Sequence, residues 1–248
     1  MDKNSGLVET DFQVKFTFGL DIILQGVKFS GKDNIVFASG NMVVTMNMLN
    51  YNKSYFFGHK KKISVLTADY GTTYEKTNII ASGESLESVE DSASIIIWHS
   101  MTKEILIEMK HTKGYVIDKL LFHPLGNILM VISYNGSYYR FSTYNWSVGQ
   151  LLTSENLGKC RIKDIKLRNS TEFVTVGTRH LRFWDYMGSY LVSSTGNWGD
   201  YPGEDLSSCE FCFSKSYCFI GTQSGNIGTW IDKKLVKSFQ AHDGEVSI

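Results

Sequence analysis

Apolar residues in this chain come in short runs separated by Gly, Asn, Asp and Ser, with no sustained helical period. Runs rich in Ile, Val, Phe and Tyr that are bounded by such turn residues predict β-strands. Four of the runs carry a large aromatic at nearly the same phase: Ser94-Ile95-Ile96-Ile97-Trp98, Tyr138-Tyr139-Arg140-Phe141, His180-Leu181-Arg182-Phe183-Trp184 and Asn226-Ile227-Gly228-Thr229-Trp230. Those aromatics stand 43, 43 and 46 residues apart. A period in the forties with several short strands in each repeat predicts an all-β chain, a β-propeller of about five four-stranded blades.

The blades are expected at about 13–57, 58–110, 111–157, 158–195 and 204–240, behind an N-terminal tail at 1–12. The first is divergent, running from Phe16-Thr17-Phe18 to Met42-Val43-Val44-Thr45-Met46, with Met46 in the aromatic position. The second carries an acidic, serine-rich stretch from Glu84 to Ser94, too long for a tight hairpin and expected as a solvated loop. In the third, Asn135-Gly136 is a hairpin signal because both residues tolerate positive φ. Residues 241–248 resemble the opening of a further blade. Five blades and that stub predict an incomplete ring, whose closure requires additional blades, since an open sheet edge invites aggregation.

At Gly58-His59, Ala81-Ser82-Gly83, Phe122-His123-Pro124, Trp184-Asp185 and Ser224-Gly225-Asn226-Ile227 the chain resembles WD-repeat proteins, over about residues 13–248. Only Trp184-Asp185 keeps the Trp-Asp dipeptide; the second blade ends Trp98-His99, the fifth Trp230-Ile231, and the third has Phe141. The segment from Gly177 to Trp184 with Met187-Gly188, and that from Gly225 through Trp230 to Gly244, are similar to blade endings of the echinoderm microtubule-associated-protein-like family. Phe16-Thr17-Phe18-Gly19-Leu20 and Val36-Phe37-Ala38-Ser39-Gly40 resemble first blades of cilia- and flagella-associated WD-repeat proteins. These resemblances imply a non-catalytic scaffold on microtubules or an axoneme, with tubulin or axonemal proteins as partners and a cytoplasmic, cytoskeletal or ciliary location.

Composition narrows the classes. Lys+Arg and Asp+Glu are 25 each in 248 residues, so bulk charge argues against nucleic-acid binding. No apolar run approaches the roughly 20 residues of a membrane helix, so no membrane partner is expected. Without an apolar leader, Cys160, Cys209, Cys212 and Cys218 are expected as reduced thiols. Phosphate-binding glycine loops, paired catalytic carboxylates and zinc-protease motifs are absent, and no cofactor is expected.

The resemblance to WD-repeat blades implies a buried hydrogen-bond chain of a His, a Ser or Thr, an Asp and the Trp indole, which His59, Ser82 and Trp98 match, with Asp91 as a loose acidic match. Their structural role outweighs a Ser-His-Asp nucleophile, because no nucleophile elbow surrounds the serine. Phe141, Trp184, Asp185 and Trp230 are read as blade positions. Cys209-Glu210-Phe211-Cys212 lacks a second ligand pair at zinc spacing, so its cysteines are expected in the core and no metal site is assigned. Possible partner contacts are Lys60, Lys61 and Lys62 in a loop, and Trp198 and Tyr201 in the exposed-looking loop Asn197-Trp198-Gly199-Asp200-Tyr201-Pro202. Tyr134, Tyr138, Tyr139, Tyr144 and Trp146 make the third blade aromatic, chiefly through strand preference. The leading expectation is a protein-binding scaffold. Two alternatives stay open: a signalling or trafficking adaptor with no cytoskeletal role, and a propeller hydrolase or lyase, which would need a cluster of His, Asp, Glu or Arg near the axis that the sequence does not repeat.

Overall fold

A computed structural model describes residues 26–69, 78–124, 126–188, 190–200, 203–212 and 217–247. No helix occurs among them, and their strands form five four-stranded antiparallel sheets. The first holds β1 (Lys28–Ser30), β2 (Asn34–Ser39), β3 (Met42–Asn47) and β4 (Lys53–Phe56). The second holds β5 (Ile63–Ala68), β6 (Ile79–Glu84), β7 (Ser94–His99) and β8 (Ile105–Lys110). The third holds β9 (Val116–Phe122), β10 (Ile128–Tyr134), β11 (Tyr139–Asn145) and β12 (Gln150–Gly158). The fourth holds β13 (Ile162–Leu167), β14 (Glu172–Gly177), β15 (His180–Tyr186) and β16 (Leu191–Thr195), and the fifth β17 (Leu206–Phe211), β18 (Tyr217–Thr222), β19 (Asn226–Ile231) and β20 (Lys234–Gln240). Strand order follows chain order in every sheet, so each is a meander closed by local hairpins. The segment Phe16-Thr17-Phe18-Gly19-Leu20 lies outside the described residues.

The chain divides into two compact units, one with the first two sheets, β9 and most of β10, the other with most of β11 and β12 and the last two sheets. In the first unit Val36, Val43, Phe56, Ile63, Leu66, Ile80, Ile96 and Trp98 share one core. The Phe56 ring lies on the Trp98 indole, 4.0 Å between centroids and 2° from parallel. That stacking explains Gly58: a Cβ there would stand 2.3 Å from the Phe56 ring. In the second unit Val174, Val176, Leu181, Phe183, Leu206, Cys209, Cys218, Ile220 and Trp230 form the core. Middle strands such as β7 are buried along nearly their whole length, whereas β8, β16 and β20 are mostly exposed. The β-branched Ile95, Ile96 and Ile97 suit a strand packed on both faces.

Three first strands carry a register shift at corresponding places: between Ile63 and Val65, Ile162 and Asp164, and Leu206 and Ser208. A bulge sharpens the local twist and turns the extra residue away from its own ladder. Ser64 thereby reaches the Ile117 carbonyl at 3.2 Å in the first unit. In the second, the extra residues are Lys163, which pairs with Glu245 at 2.6 Å, and Ser207, which donates to the Val246 carbonyl. Glycines close the second strands opposite or beside these bulges because the space is taken. A Cβ on Gly83 would approach Val65 and Ile117 at 3.0 and 3.1 Å, one on Gly221 Ser208 and Val246 at 2.6 and 2.7 Å, and one on Gly177 the Arg161 carbonyl oxygen at 1.9 Å.

Side chains around Gly83 can yield, whereas the Arg161 carbonyl is backbone. Gly177→Ala is therefore expected to lower the unfolding free energy by about 3 kcal/mol and Gly83→Ala by about 1 kcal/mol, measured by urea denaturation of both variants beside the parent.

Candidate protein-contact site

Ser82 lies two residues beyond Ile80, the cross-strand partner of Trp98, and so on the same face of the sheet. The wholly buried Trp98 indole donates to Ser82 Oγ at 3.0 Å, and His59 Nε2 stands 2.6 Å from the same oxygen. Glu84 Oε1 is 3.4 Å from His59 Nδ1, without hydrogen-bond geometry. An acceptor-only carboxylate on that side assigns the proton to Nδ1, so the Ser82 hydroxyl donates to Nε2. Burial depresses the His59 pKa and outweighs the pull of Glu84, leaving the ring neutral. Burial alone would raise the Glu84 carboxyl; the Lys60 amide, Ser94, the Lys61 amide and His59 together hold it below its ordinary value.

This corrects the acidic member of the chain. Asp91 instead pairs with Lys61 at 2.8 Å, and Glu84, expected in the solvated loop, ends β6 and is buried. A Ser-His-carboxylate line is thus present, but the serine is fully enclosed and its oxygen already takes the indole N–H, so no substrate carbonyl can reach it. Lys103 adds a cross-sheet tie in the same unit: its ammonium donates to Thr45 Oγ1 at 2.7 Å and to the Ser100 carbonyl, 5.5 Å from the Trp98 ring centroid, and burial lowers its pKa to about 8.

The fourth sheet repeats the device with other residues. Thr175 lies two beyond Phe173, the partner of Trp184, and accepts the indole N–H at 2.7 Å. His180 Nε2 lies 2.8 Å from that hydroxyl. Here the imidazole comes from the β14–β15 hairpin, five residues from Thr175, not from a segment before the sheet. Burial, joined by the Arg182 charge, brings the His180 pKa to about 4. In the fifth sheet the matching position is Ile220, so Trp230 is held by packing: Trp198 meets it edge-on at 5.0 Å and Phe183 at 6.2 Å. Phe141 is wholly buried and stacks on Phe173 at 5.1 Å. Asp185 reaches Lys233 at 3.3 Å, tying β15 to the β19–β20 turn. Cys209 and Cys218 are core residues, burial raising the Cys209 pKa well above its ordinary value and that of Cys218 to about 12.

The predicted contact residues have different surroundings. Trp198 is half-buried against the second unit's core, a correction of its exposed appearance in sequence: polar neighbours hid its long-range contact with Trp230. Tyr201 lies outside the described residues. Lys60 and Lys62 are exposed. Lys61 is not a free tip: it pairs with Asp91 and, at 3.5 Å, with Glu87. The Lys60 and Lys61 amides donate to Glu84 at 2.9 and 3.4 Å, so the carboxylate beneath His59 also shapes the lysine loop. A cleft of about 230 Å³ opens there, with Lys60, Lys61 and Lys110 facing Glu84, Asp91 and Glu108. Its volume falls below the roughly 300 Å³ at which small-molecule sites begin, and its charges balance. Of its three lysines, Lys60 has no partner for its ammonium among the described residues; Lys110 is 3.4 Å from Glu108. Of the third blade's aromatics, Tyr139 and Tyr144 are buried, Tyr134 stacks on Tyr139 at 4.6 Å, and Trp146 donates to the Gly126 carbonyl; Tyr138 alone is exposed. Among the described residues no cluster of three metal-ligating side chains occurs.

No protein-family model matches this sequence. Its fold is similar to that of a chain in the crystal structure of the mitotic checkpoint complex, with a TM-score of 0.70 and 12% sequence identity, covering 90% of this chain and 68% of that one. In all, 1168 chains of solved structures match, so the likeness marks a widely used architecture and singles out no function. With five meander sheets it establishes an all-β, WD-type β-propeller fold.

His180 stays neutral when folded and titrates near its ordinary value when unfolded. Its contribution to stability is complete above pH 6.5 and is lost as pH falls toward about 4. His180→Gln, which cannot titrate, is expected to flatten the decline in stability across that window by up to about 1.4 kcal/mol per pH unit, measured by urea denaturation at stepped pH.

Proposed function

We propose that this chain is a non-catalytic scaffold that binds other proteins through loops carried by its sheets. The observation that carries this reading is the enclosure of the Ser82–His59–Glu84 line: the grouping that most resembles catalytic machinery is a strut, while the mixed-charge cleft beside it opens to solvent. A rigid β framework with exposed loops is suited to display. The fold it shares with a component of a protein complex supports protein partners in general.

The setting we propose is a microtubule or axoneme, with tubulin's acidic tails or an axonemal protein as partner. Its support is the resemblance of the Gly177–Gly188 and Gly225–Gly244 segments, together with the uncommitted ammonium of Lys60. Lys61 contributes less, because Asp91 and Glu87 already hold it. The test is co-sedimentation with polymerised tubulin. Pelleting is expected at low salt, falling with added salt and weakened up to about fivefold by Lys60→Glu. Absence of pelleting at low salt would remove the cytoskeletal setting and leave the general adaptor.

A further inference from the structure

We propose that the cleft between the fourth and fifth sheets receives one cationic side chain, arginine or lysine, from a protein partner; this rests on the scaffold reading and names the chemistry of the contact. The cleft has a volume of about 160 Å³, with Phe173, Phe183, Trp184, Phe211 and Trp230 in its walls. That is well under the roughly 300–1,000 Å³ of small-molecule sites, and suits one inserted side chain. The aromatic walls favour an apolar stem.

The charges at the cleft select the head group. Arg168 is paired with Glu172 at 3.0 Å, and Lys233 with Asp185 at 3.3 Å. Asp232 also lines the cleft, and its carboxylate has no partner among the described residues. The lining therefore carries three carboxylates against two cations, and the unmatched one is Asp232. Long cationic side chains lay their methylenes along apolar surface and keep the charged end at the rim, which is the arrangement offered here.

Asp232 is also held in place beforehand. Asp232 and Lys233 form the β19–β20 turn with φ of 46° and 67°. Two-residue hairpin turns of this hand usually carry Asn-Gly or Asp-Gly, so a lysine at the second place departs from the easiest choice. The turn is clamped by the loop before Trp198: the Asn197 amide donates to the Lys233 carbonyl at 2.8 Å, and the Leu235 amide to the Asn197 carbonyl at 2.9 Å. A carboxylate on a backbone fixed before binding loses less freedom when a cation arrives.

The test titrates the whole chain, ¹⁵N-labelled, with the peptide acetyl-Gly-Gly-Arg-Gly-Gly-amide, its lysine counterpart and its citrulline counterpart, which keeps the shape and removes the charge. The indole N–H resonances of Trp184 and Trp230 report on the cleft, and those of Trp98 and Trp146, in the other unit, serve as references. The arginine and lysine peptides are expected to move the Trp184 and Trp230 signals saturably and to bind about fivefold or more tightly than the citrulline peptide. Asp232→Asn keeps a residue at ease with positive φ and should erase that difference without changing the melting temperature. Equal binding of arginine and citrulline peptides, an unchanged preference in Asp232→Asn, or no movement of either indole would each overturn the proposal. Failure to pellet with microtubules alongside an intact arginine preference would remove the cytoskeletal setting and leave the cleft.

Discussion

A buried indole N–H must find an acceptor, because leaving it unpaired away from water costs more than the hydrogen bond itself contributes. In two of the sheets burial of a tryptophan on the third strand is met by a hydroxyl at one defined place on the second strand. Ser82 and Thr175 meet it for Trp98 and Trp184, and each hydroxyl also engages a neutral imidazole. A slip of one residue between β6 and β7 would turn Ser82 to the other face and strand both partners, so these bonds fix register as well as contribute energy. Beneath Trp230 no hydroxyl stands at that place; the ring packs against Trp198 and Phe183, and its N–H is not among the fully buried atoms that lack a partner.

The same requirement shapes the surface. Glu84 stands 3.4 Å from His59 Nδ1 and accepts the amides of Lys60 and Lys61, so it sets the loop that carries the lysines. In the second unit, Asp185, the residue after Trp184, ties down Lys233, the partner of Asp232 in the strained β19–β20 turn. Lys60 is thus one residue from His59, and Asp232 two residues from the buried Trp230.

The repeat of aromatics and the apolar runs between turns made the all-β propeller legible, because alternation and period are local properties that survive divergence. His59, Ser82 and Trp98 were legible as a hydrogen-bonded set through their match to the WD-repeat blade pattern. What failed to show depended on distance in space. Asp91 and Glu84 both fall in one acidic stretch of the sequence, and only the extent of β6, which includes Glu84, reveals which one meets His59. Trp198, among Asn197, Gly199 and Asp200, carries no local mark of its contact with Trp230, 32 residues on. The Thr175–His180 pair was missed because its imidazole enters from a hairpin. Lys61 read as a solvated tip because the pairing acids lie some 30 residues away in sequence.

The most direct measurement of the central claim is a double-mutant cycle on Ser82→Ala and Trp98→Phe, with unfolding free energies from urea denaturation. If the hydroxyl is the acceptor that the buried indole requires, the two changes couple by about 1 kcal/mol, the second costing less once the first has been made. Additivity within about 0.3 kcal/mol would contradict the account, and would mean that Trp98 is held by packing alone.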